Sequence, residues 1–220
     1  MRGRFVTLKG KPGLVIGAPH GGTDDRTTWI GQEVAAKTGF GLVMAMGFAS
    51  PNSPRWRFNV NRPTEGIPGR PAAKERYTEE ARRVYERYVG QVRGVSQGPI
   101  HLYVELHGNT RQESAGRIEI ATVGVDRLEA WQIKTLFELT RDTHLSGRPE
   151  VPRLGVLVEP LDRIALTASS AKQIGILRLP RHVIHIELPR AARVSGAEGY
   201  VQVLAEFLQE ASRTLLDERE

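Results

Sequence analysis

Residues 13–48 read "GLVIGAPHGGTDDRTTWIGQEVAAKTGFGLVMAMGF", and the pattern of this stretch decides the fold. Gly13–Ala18 is a short apolar run, typical of a buried strand, that leads into a turn at Gly21–Gly22. Residues 26–39 predict a helix that ends at a glycine, which is a favoured residue just beyond a helix C-terminus. Residues 40–48 return to an apolar run. The stretch therefore predicts a βαβ unit with two parallel strands.

Strands and helices continue to alternate along the rest of the chain. Further strands are predicted over 100–108, 117–124, 153–160 and 181–190, and helices over 78–92, over 126–142 and from Ser195 onward. The last helix is expected to begin with a capping box formed by Ser195 and Glu198. This alternation favours an α/β fold, a three-layer sandwich around a mostly parallel or mixed central sheet. A length of 220 residues suits one domain over 1–220.

Composition excludes several classes of protein. The chain has no cysteine, so a metal would be held by His, Asp and Glu rather than by thiolates. Apolar residues make up 40% of the chain, which is enough for a core. The longest apolar stretch, Gly39–Ala49, is too short to span a bilayer, and no apolar signal core precedes the first turn. We therefore expect a cytoplasmic protein without a membrane partner. The sequence leaves the oligomeric state open.

Positive charge is concentrated in residues 51–93, which hold ten Arg or Lys against five Glu. The first part of this segment overlaps residues 49–72, where five prolines predict an irregular loop of functional importance. Such a basic stretch suits an acidic small-molecule or peptide substrate. Nucleic acid is the alternative partner, with Trp56 and Phe58 as stacking surfaces, and it is the less favoured one.

Two histidines follow strands at the point where each strand ends. The strand at 100–108 places Leu102, Val104 and Leu106 on one face and His101, Tyr103, Glu105 and His107 on the other. His107 stands at the carboxyl end of this strand, and His20 directly follows the carboxyl end of the first strand. Ligands of open α/β sheets gather at these ends. The two histidines could therefore share a metal ion.

The strand at 181–190 carries a second candidate. Val183, His185 and Glu187 share one face, and Glu187 lies at the carboxyl end just before Pro189. A charged residue in an apolar strand is costly unless it is paired or used. Glu187 is thus either half of an ion pair with an arginine or a functional carboxylate. His185 shares the Glu187 face and could lie near the site, but a core position with its hydrogen bonds satisfied is the favoured interpretation.

Four short motifs occur in the order "PHGGTD" (19–24), "NVNRP" (59–63), "VELHGN" (104–109) and "HIELPR" (185–190). Together they resemble the N-formylglutamate amidohydrolase family, which is related to the zinc carboxypeptidases and to the aspartoacylase/succinylglutamate desuccinylase group. The resemblance implies a zinc-carboxypeptidase-like (phosphorylase/hydrolase-like) fold. It also implies one zinc ion and hydrolysis of an amide bond in an acidic N-acyl amino acid, such as N-formylglutamate, or in a glutamyl peptide.

The resemblance also implies roles for particular residues. His20 and His107 match the metal histidines, and Glu187 matches the glutamate that serves as general base and acid. Asn61 and Arg62 match the pair that holds a substrate carboxylate. Two further arginines of the same loop would favour a second negative charge on the substrate; these are Arg57 and Arg70.

The chain departs from its relatives at the second metal ligand. The carboxypeptidase pattern requires a glutamate three residues after the first histidine, and here that position is Thr23. Asp24 and Asp25 follow and could reach the metal through the glycine turn; Asp24 is slightly favoured, and Asp25 remains open. Glu105 stands where relatives often carry Asp, and we expect it and Asn109 to support the metal ligands by hydrogen bonds. The departure keeps a second alternative open, a carboxypeptidase-like protein that binds a ligand without catalysis.

Overall fold

A computed structural model of the chain describes residues 3–50, 56–70 and 74–216. Eleven strands and five α-helices occupy these ranges. The strands are β1 (Arg4–Leu8), β2 (Lys11–Ala18), β3 (Phe40–Met46), β4 (Ala49–Ser50), β5 (Trp56–Asn59), β6 (Thr64–Gly66), β7 (Glu75–Tyr77), β8 (Leu102–Asn109), β9 (Arg117–Val123), β10 (Gly155–Val158) and β11 (His182–Pro189). The helices are α1 (Thr27–Thr38), α2 (Glu79–Ser96), α3 (Arg127–Leu145), α4 (Ser169–Ile174) and α5 (Ala197–Leu216).

Seven strands form a central mixed sheet in the order β1-β3-β2-β8-β11-β9-β10. The four strands β3, β2, β8 and β11 run parallel to one another, whereas β1 and β9 are antiparallel to their neighbours β3 and β11. The predicted βαβ unit is confirmed, because β2, α1 and β3 follow one another and the two strands pair in parallel. Because β2, β8 and β11 are adjacent and parallel, their carboxyl ends meet at one edge of the sheet.

Helices cover both faces of this sheet, which confirms the predicted three-layer α/β sandwich. On one face, α1, α3 and α5 bury a cluster that includes Leu102, Val104 and Leu106 of β8. On the other face, α2 packs through Tyr88 against Tyr103 of the same strand. Strand β8 is therefore central and buried on both sides, as parallel strands commonly are. None of the helices in the described part of the chain is both long and apolar enough to cross a membrane.

The ends of the helices show which of the predicted capping residues act as caps. The Thr78 hydroxyl accepts a hydrogen bond from the Ala81 N–H and caps α2, and Gly39 ends α1 with a φ of 74°, a conformation that glycine adopts without strain. The expected capping box at Ser195 is wrong. Ser195 closes a single π-helical turn after β11, and its hydroxyl donates to the Ala191 carbonyl instead.

Short strands replace the irregular loop expected over residues 49–72. Strands β4, β5, β6 and β7 form a small antiparallel sheet, although each is only two to four residues long. Residues 51–55 and 71–73, with three of the prolines, lie outside the described residues. The small sheet packs beside α2 and carries the Asn61–Arg62 turn between β5 and β6.

Candidate active site

The carboxyl ends of β2, β8 and β11 bring His20, His107 and Glu187 to one pocket. Glu187 on β11 pairs directly with His107 on β8, and His20 comes two residues after the end of β2. The pocket has a volume of about 420 Å³. Residues from the predicted site that line it are His20, Asp24, Arg57, Asn61, Arg62, His107 and Glu187.

His107 lies between two carboxylates. Its Nε2 is 3.0 Å from Glu105 Oε2, and its Nδ1 is 3.5 Å from Asp24 Oδ2. Burial alone lowers the pKa of His107, but hydrogen bonds to Asp24 and Glu105 outweigh burial and raise the pKa to about 10. The position therefore stabilises a positive charge. The His20 ring lies 5.0 Å from the His107 ring, centroid to centroid, and burial lowers the pKa of His20 to about 4.

The structure separates the two adjacent aspartates. Asp24 lines the pocket, and its Oδ2 accepts a 3.0 Å hydrogen bond from the Gly108 N–H. Burial raises the pKa of Asp24, but the hydrogen bonds from His107 and from the Gly108 N–H lower it below its usual range. Asp25 turns away from the pocket, with 55% of its side chain exposed and Arg190 at 3.8 Å. Of the two, only Asp24 is placed to contact a ligand in the pocket.

Glu105 is a completely buried carboxylate that accepts from four donors. Its Oε1 accepts from the Tyr103 hydroxyl at 3.2 Å, and its Oε2 accepts from Asn61 Nδ2 at 3.1 Å. The same Oε2 lies 3.0 Å from His107 Nε2 and 2.9 Å from His185 Nδ1. Burial raises the pKa of Glu105, but hydrogen bonds from the two histidines lower it far below the usual range. Because a carboxylate only accepts, His107 Nε2 and His185 Nδ1 are the donors in these two bonds.

His185 is a site residue that the sequence reasoning left without a role. It is buried and lines the pocket, with its Nε2 at 3.3 Å from Glu187 Oε1 and its ring 4.4 Å from that of His107. Burial raises the pKa of Glu187, but the hydrogen bond from His185 and the charge of His107 lower it below its usual range. Glu187 is thus ionised near neutral pH. Its shared strand face with His185 was the sequence signal for this contact.

Two of the arginines predicted to bind a substrate anion, Arg57 and Arg62, form ion pairs with the carboxylate of Glu75. Arg62 donates from Nη1 to Asn61 Oδ1 at 3.0 Å and from Nε to Glu75 Oε2 at 2.9 Å, and its Nη2 forms an ion pair with Glu75 Oε1. Arg57 Nη2 lies 3.3 Å from the same Glu75 oxygen, and the Thr64 hydroxyl also donates to Glu75. Burial raises the pKa of Glu75, but the hydrogen bond from Arg62 lowers it below its usual range.

Two other predicted site residues lie outside the pocket. Arg70 is exposed at the end of the β6–β7 turn, and it does not line the pocket in the described part of the chain. Asn109 is buried, and its backbone carbonyl accepts from Arg193, but its side chain makes no hydrogen bond to another described residue. The hydrogen-bond support of His107 therefore comes from Glu105 and Asp24.

The remaining wall of the pocket comes from two connections to which the sequence assigned no role. Arg111 follows β8, and residues 165–171 approach from the segment around α4. The backbone N–H groups of Ala165 and Leu166 donate to the buried carboxylate of Glu119 at 2.8 and 2.9 Å. These two hydrogen bonds fix the backbone of the second connection beside the pocket.

Among the described residues, one group of histidine and acidic side chains brings its ligand atoms close enough to share a metal ion, and it is not the group expected from the sequence. The ligand atoms of Glu105, His107 and His185 all lie within 4.8 Å of one another. The set expected from the sequence, His20, Asp24 and His107, lines the same pocket, but its ligand atoms do not all lie that close together in this structure. Glu105 already accepts hydrogen bonds from both histidines of the first set, so a metal there would have to displace these donors.

Neither a protein-family model nor a curated protein matches the chain. Solved structures with a similar fold include a bacteriophage poly-gamma-glutamate hydrolase, with a TM-score of 0.50, 13% identity, and coverage of 96% of this chain and 88% of that chain. A metallo-carboxypeptidase from Burkholderia cenocepacia also has a TM-score of 0.50, with 11% identity over 94% of this chain and 61% of that chain. The chain therefore has a carboxypeptidase-like α/β fold.

Proposed function

We propose that the chain is a zinc-dependent hydrolase, similar to the N-formylglutamate amidohydrolases, that cleaves an amide bond in an acidic N-acyl amino acid or a glutamyl peptide. One observation carries the proposal: a single pocket at the strand ends contains His20, Asp24, His107 and Glu187 together with the Asn61–Arg62 pair. Two proteins with a similar fold are a poly-gamma-glutamate hydrolase and a metallo-carboxypeptidase, which supports hydrolysis as the reaction class.

The donor groups of the pocket fit a zinc ion. His20 is neutral near neutral pH and Asp24 is ionised, which are the states that bind a metal. The neighbouring carboxylates raise the pKa of His107, so a zinc ion at its Nδ1 would have to replace a proton there. His107 directs Nε2 to Glu105 and so leaves Nδ1 on the side of Asp24. An imidazole anchored by a carboxylate through its other nitrogen is the usual arrangement of a zinc histidine. We therefore assign His20, Asp24 and His107 as the ligands, with Glu105 as the residue that orients His107.

Each remaining group has a role in amide hydrolysis. A zinc ion in this site would polarise the carbonyl of the scissile amide and acidify a water molecule. Glu187, ionised and held by His185, would accept the proton of the attacking water and deliver it to the leaving nitrogen. Asn61 and Arg62 would hold a carboxylate of the substrate, since a guanidinium forms charge-assisted hydrogen bonds with carboxylates. A pocket of about 420 Å³ suits a small acidic substrate.

The nucleic-acid alternative receives less support from the described residues. Arg76 pairs with Glu65, and Arg82 pairs with Glu79 and Glu86, so neighbouring carboxylates compensate much of the positive charge of the basic segment. Phe58, one of the two expected stacking residues, is buried. The alternative of a binding protein without catalysis is tested by the metal and turnover measurements described below.

Zinc content distinguishes the two possible ligand sets. After reconstitution and dialysis, we expect about one zinc ion per chain, lost in His20→Ala and in His107→Ala because each removes a ligand. His185→Ala should retain zinc, since His185 contacts Glu105 and Glu187 rather than the metal in this assignment. Elemental analysis of the purified variants is the measurement.

His144→Ala is the matched control, because His144 pairs with Glu206 on α5 and does not line the pocket. Retention of zinc in His20→Ala together with its loss in His185→Ala would transfer the site to Glu105, His107 and His185. Absence of zinc from the unmodified protein would refute the zinc assignment.

A further inference from the structure

We infer that Arg111 binds a second anionic group of the substrate and selects dianionic over monoanionic N-acyl amino acids. The inference rests on the proposed function in that it names the substrate class of the same pocket. The sequence assigned the second negative charge of the substrate to Arg57 and Arg70. The inference assigns it to Arg111, which lies on another wall of the pocket.

Three arginines in the described part of the chain line the pocket, and they differ in their partners. Arg57 and Arg62 share the carboxylate of Glu75, which also lines the pocket. These three side chains together carry one net positive charge. Arg62 additionally has three of its five N–H groups engaged by Glu75 and Asn61. This cluster can therefore accommodate one carboxylate, and Glu75 would repel a second one placed beside it.

Arg111 is the third arginine, and its charge is not compensated. Its guanidinium makes no hydrogen bond or ion pair within residues 3–50, 56–70 and 74–216. It is exposed and stands four residues beyond His107, on the connection from β8 to β9. A guanidinium with all five N–H groups available can bind a carboxylate through two parallel hydrogen bonds.

The two positive centres approach the pocket from different elements. Arg62 belongs to the turn between β5 and β6 in the small sheet, whereas Arg111 follows the central strand β8. A substrate that places one carboxylate on Asn61 and Arg62 can therefore direct a second carboxylate to Arg111. Neutralising either carboxylate as an amide would leave one positive centre without its partner.

Direct binding tests this assignment independently of turnover. Isothermal titration is performed on the zinc-treated Glu187→Gln protein with N-acetyl-L-glutamate and with its two monoamides, N-acetyl-L-glutamine and N-acetyl-L-isoglutamine. We expect the diacid to bind more tightly than either monoamide. Adding Arg111→Gln should weaken the diacid and one monoamide by about tenfold each. The other monoamide, which lacks the carboxylate that contacts Arg111, should keep its Kd.

The control is Arg127→Gln, the same charge change at an exposed position outside the pocket, which should leave all three Kd values unchanged. Arg111→Lys should restore part of the preference for the diacid. The inference is overturned if the unmodified pocket binds the diacid no better than the monoamides, or if Arg111→Gln weakens all three ligands equally or none. The proposed function fails separately if the expected binding pattern is found but the protein holds no zinc or the unmodified protein shows no turnover. The role of Arg111 would then remain intact.

Discussion

Glu187→Gln is expected to reduce turnover of N-formyl-L-glutamate by about 10³-fold while leaving the zinc content unchanged. The amide of glutamine is nearly the same size as the carboxylate but cannot accept a proton from water. Glu187 lies at the carboxyl end of β11, opposite His107 in the register of β8, and it is not among the assigned metal ligands. The substitution should therefore separate proton transfer from metal binding. Steady-state kinetics and elemental analysis of the same preparation measure the two quantities.

Glu150→Gln is the matched control for this substitution. Glu150 is exposed in the connection between α3 and β10 and does not line the pocket, so its turnover should equal that of the unmodified enzyme. Undiminished turnover in Glu187→Gln would eliminate Glu187 as the general base. Loss of zinc together with turnover would instead make Glu187 part of the metal site.

Arg193→Met is expected to lower the free energy of unfolding by roughly 3 kcal/mol, the largest stability effect that we predict. Arg193 is only 2% exposed and donates to the backbone carbonyls of Leu188, Asn109 and Asp25. Methionine would fill much of the space but would leave these buried acceptors without donors. The measurement is unfolding in urea, monitored by circular dichroism.

The position of Arg193 explains why its loss matters to the site. Its three acceptors lie at the end of β11, at the end of β8 and in the turn after β2, which are the three segments that carry Glu187, His107 and Asp24. A Cβ atom at Gly108 would lie 2.6 Å from the Arg193 Cζ, so glycine leaves room for the guanidinium. Arg190→Met is the control, because 65% of the Arg190 side chain is exposed; a change within about 0.5 kcal/mol is expected. An equally small effect of Arg193→Met would show that this guanidinium does not hold the strand ends together.

Much of the candidate site could be predicted because strand periodicity and strand ends are local properties. The alternation in residues 100–108 and 181–190 assigned each side chain to a face, and the structure agrees: Leu102 and Ile184 lie in one core cluster, and Tyr103 and Val183 in the other. The βαβ pattern of residues 13–48 likewise required only apolar runs and a helix of suitable length. These signals depend on neighbours a few residues away.

The tertiary structure decided the contacts that join distant parts of the chain. The sequence favours Asp24 only slightly over Asp25, whereas the hydrogen bond that Asp24 accepts from the Gly108 N–H assigns Asp24 to the pocket. The role of His185 depends on the β8–β11 register, which places it beside Glu105.

The sequence by itself determined the α/β sandwich and the strand ends that bear His20, His107 and Glu187, whereas the acidic substrate stays a prediction. Only the tertiary structure showed that Glu75 neutralises part of the arginine cluster and that Arg111 has no ion-pair partner among the described residues. The physical reason is that hydrophobic periodicity is a property of a single helix or strand and can be recognised within that element. The pairing of charges depends on distances of a few ångströms between segments whose separation along the chain carries no such pattern.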